Sequence, residues 1–320
     1  MGDIVEGASD LSPTDTPVAL AFTSPAPGAQ VVREHVEATA GWRVANVNVV
    51  LAVAGSPATI DLAGDDLALG TVDVATGRRD ISLTELGLTT LTATARDAAG
   101  RALTTATIDI DVVEPAFETC REWLDVYGAA YQLGPDRPGV ADPVTLTTPI
   151  NGMNYRAYGA AAVRTTFFMD CTLAVSLLEA APHLRERNIV EVTDIGVYNY
   201  RCIGGEGTPP DCPRGMSQHA YAKGIDLAVL TTADGTTYSV NDDWVIDPST
   251  ERTCDAATAD EKDALLHDAI CALKRDHVWN IVLTPNYNAD HRNHFHVDLT
   301  TGSDFIRTRR GDTDVGPDHH

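Results

Sequence analysis

The sequence is short of basic residues and has no long apolar run. Its 23 lysine and arginine residues are outnumbered by 46 acidic ones, which leaves a formal charge of -23 over 320 residues. This charge would repel a phosphate backbone, so the composition argues against nucleic-acid binding. No run of about eighteen apolar residues occurs, and the sequence therefore predicts no transmembrane segment. The hydrophobic content of 43 % is that of a globular chain, and the length favours two domains over one.

Cysteine is missing from the first third of the chain. The six cysteines that follow form no C-x-x-C pair, which argues against zinc-ribbon and thiol-redox motifs. An even number at wide spacing predicts disulfides and an oxidising, extracytoplasmic location, with buried free thiols in a cytosolic protein as the alternative. We expect the short loops Cys202–Cys212 and Cys254–Cys271 to be bridged. The complete set of disulfide candidates is Cys120, Cys171, Cys202, Cys212, Cys254 and Cys271.

Both ends of the chain have a polar composition. The start, MGDIVEGASD, has neither a basic nor an apolar segment and is therefore not a signal peptide. If the protein is exported, we expect its signal peptide to be missing from this chain. Residues 1–17 are rich in Asp, Ser, Thr, Pro and Gly and predict a mobile leader, and residues 303–320 predict a polar tail.

Residues 18–114 have the pattern of an all-β sandwich. Runs such as VANVNVVLAVAG, TTLTATARD and TTATIDIDVV alternate small or β-branched apolar residues with polar ones. Further strands are predicted at VALAFTSP and HVEATAGW, and turn signals recur between the runs. The order of these pieces resembles bacterial immunoglobulin-like domains. Because this stretch has no histidine cluster, we expect a spacer or adhesion role for it, with the boundary at Glu114-Pro115.

Residues 116–302 mix helical and strand patterns, which predicts an α+β domain with an antiparallel sheet. Helices are expected near Cys120, over MDCTLAVSLLEAAP until Pro182 ends the helix, and over TADEKDALLHDAICALKRD. The last helix starts with a predicted Thr258–Glu261 capping box. Strands are expected at NIVEVTD, GIDLAVL, NIVLTP and HFHVDL. The apolar stripe predicted for the last helix consists of Leu266, Ile270 and Leu273.

The stretch HRNHFHVDL suggests half of a metal site. On the predicted strand, His294, His296 and Asp298 occupy alternate positions, so their side chains share one face. A catalytic zinc site usually has three protein ligands and one open position. This strand therefore predicts some of the ligands, with the others elsewhere. We expect His291, which precedes the strand, to be only a loop residue or a neighbour of a ligand.

The stretch MSQHAYAKGIDLAVL is the best source of the missing ligands. It contains Ser217, His219 and Asp226, and the last lies on a predicted strand between Ile225 and Leu227. A carboxylate between two core-facing residues is costly unless it is paired or binds a metal. Histidine and carboxylate ligands suit zinc. A split zinc site is thus predicted; a surface histidine near an unrelated acid is the alternative.

Three blocks of sequence resemble one family. S-Q-H-A-Y-A-K-G-I-D is similar to the S-x-H-x-x-G-x-A-x-D motif of zinc D-alanyl-D-alanine carboxypeptidases, penicillin-insensitive murein endopeptidases and the hedgehog fold, and H-F-H is similar to their H-x-H motif. Together with the upstream VYNYRC block, the pattern most resembles the extensin-like C-terminal domain family over residues 118–300. The resemblance implies a DD-peptidase-like fold, a zinc cofactor and peptidoglycan peptides as substrate.

The resemblance also assigns roles around the metal. It implies that His219, Asp226 and His296 bind Zn²⁺. It implies that Ser217 orients the loop or a ligand, and Asp298 could fix a histidine tautomer from outside the ligand set.

Two catalytic residues are implied beside the ligands. His294 would act as an acid/base or orienting group, although a structural histidine is the alternative. Arg201 matches the arginine of the Tyr-Arg block and would hold the scissile carbonyl or the charge developing on it. The alternative for Arg201 is an ion pair with one of the many acids.

The sequence departs from the family pattern at three positions. The family's glycine is Ala222 here and its alanine is Gly224, a swap that keeps both residues small. Some relatives have a glutamate base where this chain has Asn293. The base would then be His294, a metal-activated water with less help, or another carboxylate. Asp290 and Asp298 are the carboxylate candidates.

These expectations describe a zinc-dependent hydrolase of peptide bonds in the stem peptides of bacterial peptidoglycan. The alternatives are a non-catalytic zinc-containing binding module and a surface adhesin in which the sandwich binds. The sequence leaves open whether a D,D or an L,D bond is cut, and it leaves the oligomeric state open. His319 and His320 could bind metal adventitiously, but a solvated tail describes them better.

Overall fold

The computed structural model describes residues 17–246 and 253–307. The chain divides into two compact units. One takes in the residues up to 35 together with 43–116, and the other takes in 36–42 and the residues from 117 onward. The predicted leader, except for its last residue, lies outside the described residues, as does most of the predicted tail with His319 and His320.

The first unit is all-β in its described part. One sheet has the strand order β2-β9-β8-β5-β6, and the other has the order β1-β4-β3 with β7 also paired to β4. The strands are β1 Ala19–Ser24, β2 Gln30–Val32, β3 His35–Val36, β4 Arg43–Ala54, β5 Thr59–Gly64, β6 Leu67–Thr71, β7 Arg78–Leu83, β8 Gly87–Arg96 and β9 Ala102–Val113.

The core of the first unit follows from the alternation in its strands. On β8, Leu91 and Ala93 are fully buried while Thr92 between them is half-exposed. Side chains from both sheets, such as Val49 of β4 and Ile110 of β9, join one apolar cluster, and each burial stabilises the fold by about 1.5–3 kcal/mol. The predicted all-β class is confirmed, and the immunoglobulin-like assignment stays a prediction.

The predicted strand HVEATAGW is wrong beyond its first two residues. Only His35–Val36 is strand, and a turn follows. There the Glu37 carboxylate accepts hydrogen bonds from the backbone N–H groups of Thr39 and Ala40. A side chain that satisfies nearby backbone donors competes with a strand ladder.

Strand β6 was not predicted from the sequence, for a different reason. No position in this strand is buried, so its sequence does not alternate between apolar and polar residues.

The described part of the second unit combines helices with two sheets. Three short 3₁₀ turns lie at Ile203–Gly205, Gln218–Tyr221 and Ala289–His291. The helices and strands are α1 Cys120–Val126, β10 Tyr131–Leu133, β11 Pro143–Thr147, β12 Asn154–Ala157, β13 Thr166–Asp170, α2 Cys171–Glu186, β14 Ile189–Gly196, β15 Gly224–Thr232, β16 Thr237–Ser239, α3 Val240–Asp243, α4 Glu261–Arg275, β17 Ile281–Leu283, β18 Phe295–Asp298 and β19 Phe305–Arg307.

The larger sheet of this unit is mixed rather than antiparallel. Its order is β12-β14-β15-β18-β17-β19 with β16 on β15, and a smaller sheet has the order β10-β11-β13. The pairs β12–β14 and β17–β19 are parallel, which corrects the predicted antiparallel sheet. Strand β19 lies in the segment predicted as a polar tail. The core joins α2, α4 and the sheet through residues such as Leu177, Ile270 and Phe295.

Helix α2 continues through Pro182, which was predicted to end it. The helix runs to Glu186 with the proline inside. A proline has no N–H for the carbonyl four residues earlier, here that of Leu178. The side-chain amide of Asn151 donates a hydrogen bond of 2.9 Å to that carbonyl. The lost helical bond is thereby replaced from outside the helix.

Helix α4 begins close to the predicted point but with a different cap. Its N-cap is Asp260 rather than Thr258. The Asp260 carboxylate accepts hydrogen bonds from the backbone N–H groups of Lys262 and Asp263 at 2.9 and 3.0 Å. A carboxylate also suits the positive end of a helix, so Asp260 competes well with threonine. The predicted apolar stripe is buried as expected, at Leu266, Ile270 and Leu273.

Three disulfides cross-link the second unit. They join Cys120 to Cys171, Cys202 to Cys212 and Cys254 to Cys271. Both predicted short-loop pairings are therefore confirmed. Disulfides persist in oxidising compartments, so these three indicate an extracytoplasmic location. No helix in the described part of the chain is long and apolar enough to cross a membrane.

Candidate metal centre

Strands β15 and β18 bring two predicted ligands together. The strands pair antiparallel, and Asp226 lies directly opposite His296. Opposed residues on neighbouring strands point to the same face of a sheet, with Cβ atoms about 4.5–5.5 Å apart. Two side chains that are 70 residues apart in sequence therefore meet. The flanking Ile225 and Leu227 are buried, as the alternation predicted.

The third predicted ligand comes from the turn before β15. His219 lies in the 3₁₀ turn Gln218–Tyr221. The backbone N–H of His219 donates a hydrogen bond of 3.3 Å to the hydroxyl of Ser217. The turn ends at Ala222, whose φ of 53° is left-handed. That conformation costs a residue with a Cβ about 1–2 kcal/mol, and glycine avoids this cost. The departure at Ala222 therefore keeps the turn but adds strain.

The neighbouring Gly224 gives the ligands room. A Cβ at this position would lie 3.3 Å from Cε1 of His296 and 3.3 Å from Cβ of Asp298. Those contacts are tighter than a side chain normally makes. The absence of a side chain at Gly224 therefore lets the His296 ring pack against the strand.

Three ligand atoms converge at the centre. Oδ1 of Asp226 is 3.1 Å from Nε2 of His219 and 2.9 Å from Nδ1 of His296. The two nitrogens are 3.1 Å apart, and both histidines are buried. Such spacing is that of ligand atoms around one small cation.

The surroundings of His219 fix its tautomer. Its Nδ1 lies 2.9 Å from the backbone carbonyl oxygen of Val197. A carbonyl oxygen only accepts hydrogen bonds, so Nδ1 carries a proton. In the neutral ring the lone pair is then on Nε2, which faces Asp226.

The surroundings of His296 also fix its tautomer, here with the proton on Nε2 instead of Nδ1. Its Nε2 lies 2.9 Å from Oδ2 of Asp298. The second oxygen of Asp298 accepts hydrogen bonds from the backbone N–H and the hydroxyl of Thr300 at 2.9 and 2.7 Å. A carboxylate held in this way accepts the Nε2 proton, so the lone pair of neutral His296 is on Nδ1. This nitrogen also faces Asp226.

Three electron pairs therefore face one point that needs a cation. Burial alone would raise the pKa of the Asp226 carboxyl, but hydrogen bonds from His219 and His296 hold it well below its usual range. Burial would lower the pKa of His296, yet its bonds to Asp226 and Asp298 raise this pKa to about 9. In the metal-free chain a proton stabilises the cluster. Two nitrogens and one carboxylate oxygen suit zinc, so the residues fit the predicted metal.

His294 lies at the edge of the cluster. It directly precedes β18 instead of lying on it, which corrects the predicted strand. Its Nε2 is 3.5 Å from Oδ1 of Asp226, and its Nδ1 is 2.8 Å from the side-chain oxygen of Asn293. Burial lowers the pKa of His294, so the ring is neutral near neutral pH and can accept a proton.

The two candidate carboxylate bases have different surroundings. Asp298 is buried and holds His296 and Thr300, so its oxygens are already engaged. Asp290 is exposed in the 3₁₀ turn Ala289–His291. His294, in contrast, has its Nε2 3.5 Å from Oδ1 of Asp226. These positions favour His294 as the group that transfers protons.

Arg201 lies beside the site in a disulfide-linked loop. Its backbone carbonyl accepts a hydrogen bond of 3.1 Å from the N–H of Ser217, and the next residue is Cys202 of the second disulfide. The half-buried guanidinium is close enough to lower the pKa of His294. Within residues 17–246 and 253–307, Arg201 forms no ion pair. The described residues therefore do not support the alternative that Arg201 pairs with an acidic side chain.

Several groups that orient the ligands are not predicted from the sequence. The Val197 carbonyl is a backbone atom 22 residues before His219, and no motif indicates it. Asn293 directly precedes His294, and Thr300 lies two residues after Asp298. Their only signal in the sequence is a side chain that can form hydrogen bonds next to a predicted site residue. The ring centroid of His291 lies 5.2 Å from that of His294 and 5.9 Å from that of His296.

Comparisons with known proteins identify the second unit. The family model for the extensin-like protein C-terminus matches residues 118–308. No curated protein matches the chain. Fibronectin(III)-like modules of Clostridium thermocellum CbhA are similar at 15 % identity over 30 % of this chain and 96 % of that one, with a TM-score of 0.25. An endo-beta-1,4-mannanase from Thermotoga petrophila is similar at 14 % identity over 33 % of this chain and 21 % of that one, with a TM-score of 0.24.

Proposed function

Because this chain belongs to the extensin-like protein C-terminus family, we propose that it is a zinc-dependent hydrolase of peptide bonds in bacterial peptidoglycan stem peptides. The substrate class rests on the resemblance of its two motifs to those of zinc D-alanyl-D-alanine carboxypeptidases and murein endopeptidases. The proposal includes their hedgehog/DD-peptidase fold for the second unit and an immunoglobulin-like spacer for the first.

One observation carries the proposal. The lone pairs of His219 and His296 and an oxygen of Asp226 converge within 3.1 Å of one another. Neighbouring acceptors force both imidazole lone pairs toward this point. In the metal-free chain a proton on His296 stabilises this point, and a zinc ion would displace that proton to reach both lone pairs.

The ligands are held in place before any metal binds. Val197 orients His219, and Asp298 orients His296, so neither ring has to rotate. Such outer partners typically contribute about 10–100-fold to metal affinity or activity. A zinc ion bound by these residues would polarise a substrate carbonyl and lower the pKa of water to about 7.

The remaining groups supply charge and proton transfer. Asp226 contributes a negative charge that offsets the divalent cation. Neutral His294 accepts the proton released when water attacks the amide, and it then donates a proton to the leaving amine. The Arg201 guanidinium, which has no acidic partner in the described residues, holds the carbonyl oxygen as negative charge develops on it.

Digestion of purified peptidoglycan tests this function. Zinc-loaded wild type should release new amino groups from muropeptides, and mass spectrometry of the products would show which bond is cut. The His219→Ala variant should lose this activity. As a matched control, the exposed His35→Ala variant should retain it. If the zinc-loaded chain cuts no peptide bond in any wall type, the proposal is wrong.

A further inference from the structure

The loop at residues 134–140 has an arginine without an acidic partner. Arg137 is exposed, and its guanidinium lies 5.5 Å from the ring centroid of Phe168 and 5.4 Å from that of Tyr198. The two rings pack edge to face with their centroids 5.8 Å apart. Among the described residues Arg137 forms no ion pair and no side-chain hydrogen bond. In a chain with 46 acidic residues, this cation is therefore held by aromatic rings instead of by a carboxylate.

Three contacts hold this loop against the segments that build the candidate metal centre. The Tyr198 hydroxyl donates a hydrogen bond of 3.1 Å to the carbonyl oxygen of Pro138. Gly139 has a φ of 84°, and a Cβ there would lie 2.4 Å from the carbonyl oxygen of Ala220 and 3.4 Å from the ring of Tyr200. Because only glycine allows so close an approach at this φ, the loop packs directly on these residues.

The residues that the loop contacts are next to site residues in the chain. Tyr198 directly follows the carbonyl that orients His219. Ala220 follows His219 itself, and the exposed Tyr200 precedes Arg201. The loop with its arginine therefore lies one layer of residues away from the candidate metal centre. A peptide that extends several residues beyond its scissile bond is long enough to reach this layer.

Arg137 has the properties of a carboxylate-binding residue. A guanidinium has five N–H donors in a planar fork that matches the two oxygens of a carboxylate. The aromatic rings restrict the side chain without using these donors, so less conformational entropy is lost when a ligand binds. The formal charge of -23 repels anions in general. Recognition of an acidic substrate therefore needs an unpaired cation close to the centre.

We propose that Arg137 determines substrate specificity by binding a carboxylate that branches from the peptide away from the scissile bond. This inference rests on the proposed function, because the stem peptide supplies the carboxylate. The γ-linked D-glutamate of a stem peptide has a free α-carboxyl group, and amidation makes this group neutral. A chain that uses Arg137 in this way prefers the acid form of the peptide to the amidated form.

Binding of two synthetic peptides to the full-length chain, kept zinc-free so that no peptide is cut, tests the proposal. The probes are L-Ala-γ-D-Glu-L-Lys-D-Ala-D-Ala with the α-carboxyl group of D-glutamate free or amidated, and calorimetry measures their affinities. Wild type should bind the acid form roughly 5–10-fold more tightly, as expected for an ion pair exposed to water on one side. Arg137→Gln should bind both forms equally. Arg137→Lys, which keeps the charge but loses the fork, should keep part of the preference.

The matched control is an exposed arginine in the last turn of α4. Arg275 also has no ion pair among the described residues, so Arg275→Gln should keep the full preference. Equal affinities in wild type would overturn the proposal, as would no binding of either form. An equal loss for both forms in Arg137→Gln would show that the residue only shapes the loop, and would overturn it too. If the preference is found but the zinc-loaded chain cuts neither peptide, the proposed function is wrong and the specificity of Arg137 stands.

Discussion

The two units differ in what they bury. Among the described residues, the first unit buries only Arg43 and Thr89 as polar side chains, and all other buried polar residues are in the second. These include His219, His294 and His296. A buried polar group costs free energy unless it is paired or has a ligand. The comparison therefore separates a unit built for packing from a unit built around a site.

The covalent framework follows the same division. All three disulfides are in the second unit, and the first has no cysteine. The loop before the candidate metal centre is linked through Cys202–Cys212 directly next to Arg201. A site that must keep several polar side chains close together loses stability for that arrangement, and cross-links offset the loss. The first unit relies on two sheets and an aliphatic core.

A large effect is expected from cutting this framework. Replacing Cys120 and Cys171 by alanine opens a bridge between residues 51 apart, and we expect a loss of about 2–4 kcal/mol from the unfolding free energy of the second unit. The first unit should be unaffected. Differential scanning calorimetry can follow the two transitions.

The reverse experiment uses the core of the first unit. Leu91 is fully buried in the sandwich, so Leu91→Ala should lower the stability of that unit by about 2–5 kcal/mol. The zinc content should stay that of wild type. If zinc binding falls in parallel with the first transition, the division of labour between the units is wrong.

A smaller effect is expected from the group that orients His296. Asp298→Asn keeps the shape but removes the charge that holds the Nε2 proton, so zinc affinity should fall by about 10–100-fold. Competition with a fluorescent chelator measures this change. The Asp290→Asn variant, which alters an exposed acid of the same segment, should bind zinc like wild type.

The last expected effect is a dependence on pH. Hydrogen bonds to Asp226 and Asp298 outweigh burial and raise the pKa of His296 to about 9, so its proton stabilises the metal-free second unit at neutral pH. This contribution is complete below the ordinary pKa of about 6.5 and is lost as the pH rises through about 9. Zinc competes with the same proton, so its affinity should rise by up to about tenfold per pH unit from neutral pH to about 9.

Titrations at several pH values check this dependence. The zinc affinity of wild type should level off above about pH 9, where His296 has lost its proton. An affinity that does not change between neutral pH and that point would show that no proton is displaced.

Local pattern and motif resemblance together predicted which residues would lie close together at the candidate site, but not the groups that orient them. His219 and Asp226 are close in sequence, and the two-residue period of a strand placed His296 and Asp298 on one face. The meeting of β15 with β18 required the motif resemblance, because pairing of distant strands has no local signal. The Val197 carbonyl could not be predicted at all, since every residue has one.

Two of the wrong predictions involve an asparagine side chain. Pro182 was expected to end α2, but Asn151 supplies the missing hydrogen bond from a distant segment. His294 was expected on the strand, but its ring is held by Asn293 just before β18 begins. The bond from Asn151 depends on tertiary structure, which local propensities do not contain.

A crystal structure with anomalous scattering measured at the zinc edge tests the central claim most directly. The account predicts one strong peak bonded to Nε2 of His219, a carboxylate oxygen of Asp226 and Nδ1 of His296, with a position left open for water or substrate. A peak with four protein ligands would indicate a closed structural site. No peak at these three residues in zinc-soaked crystals would contradict the account.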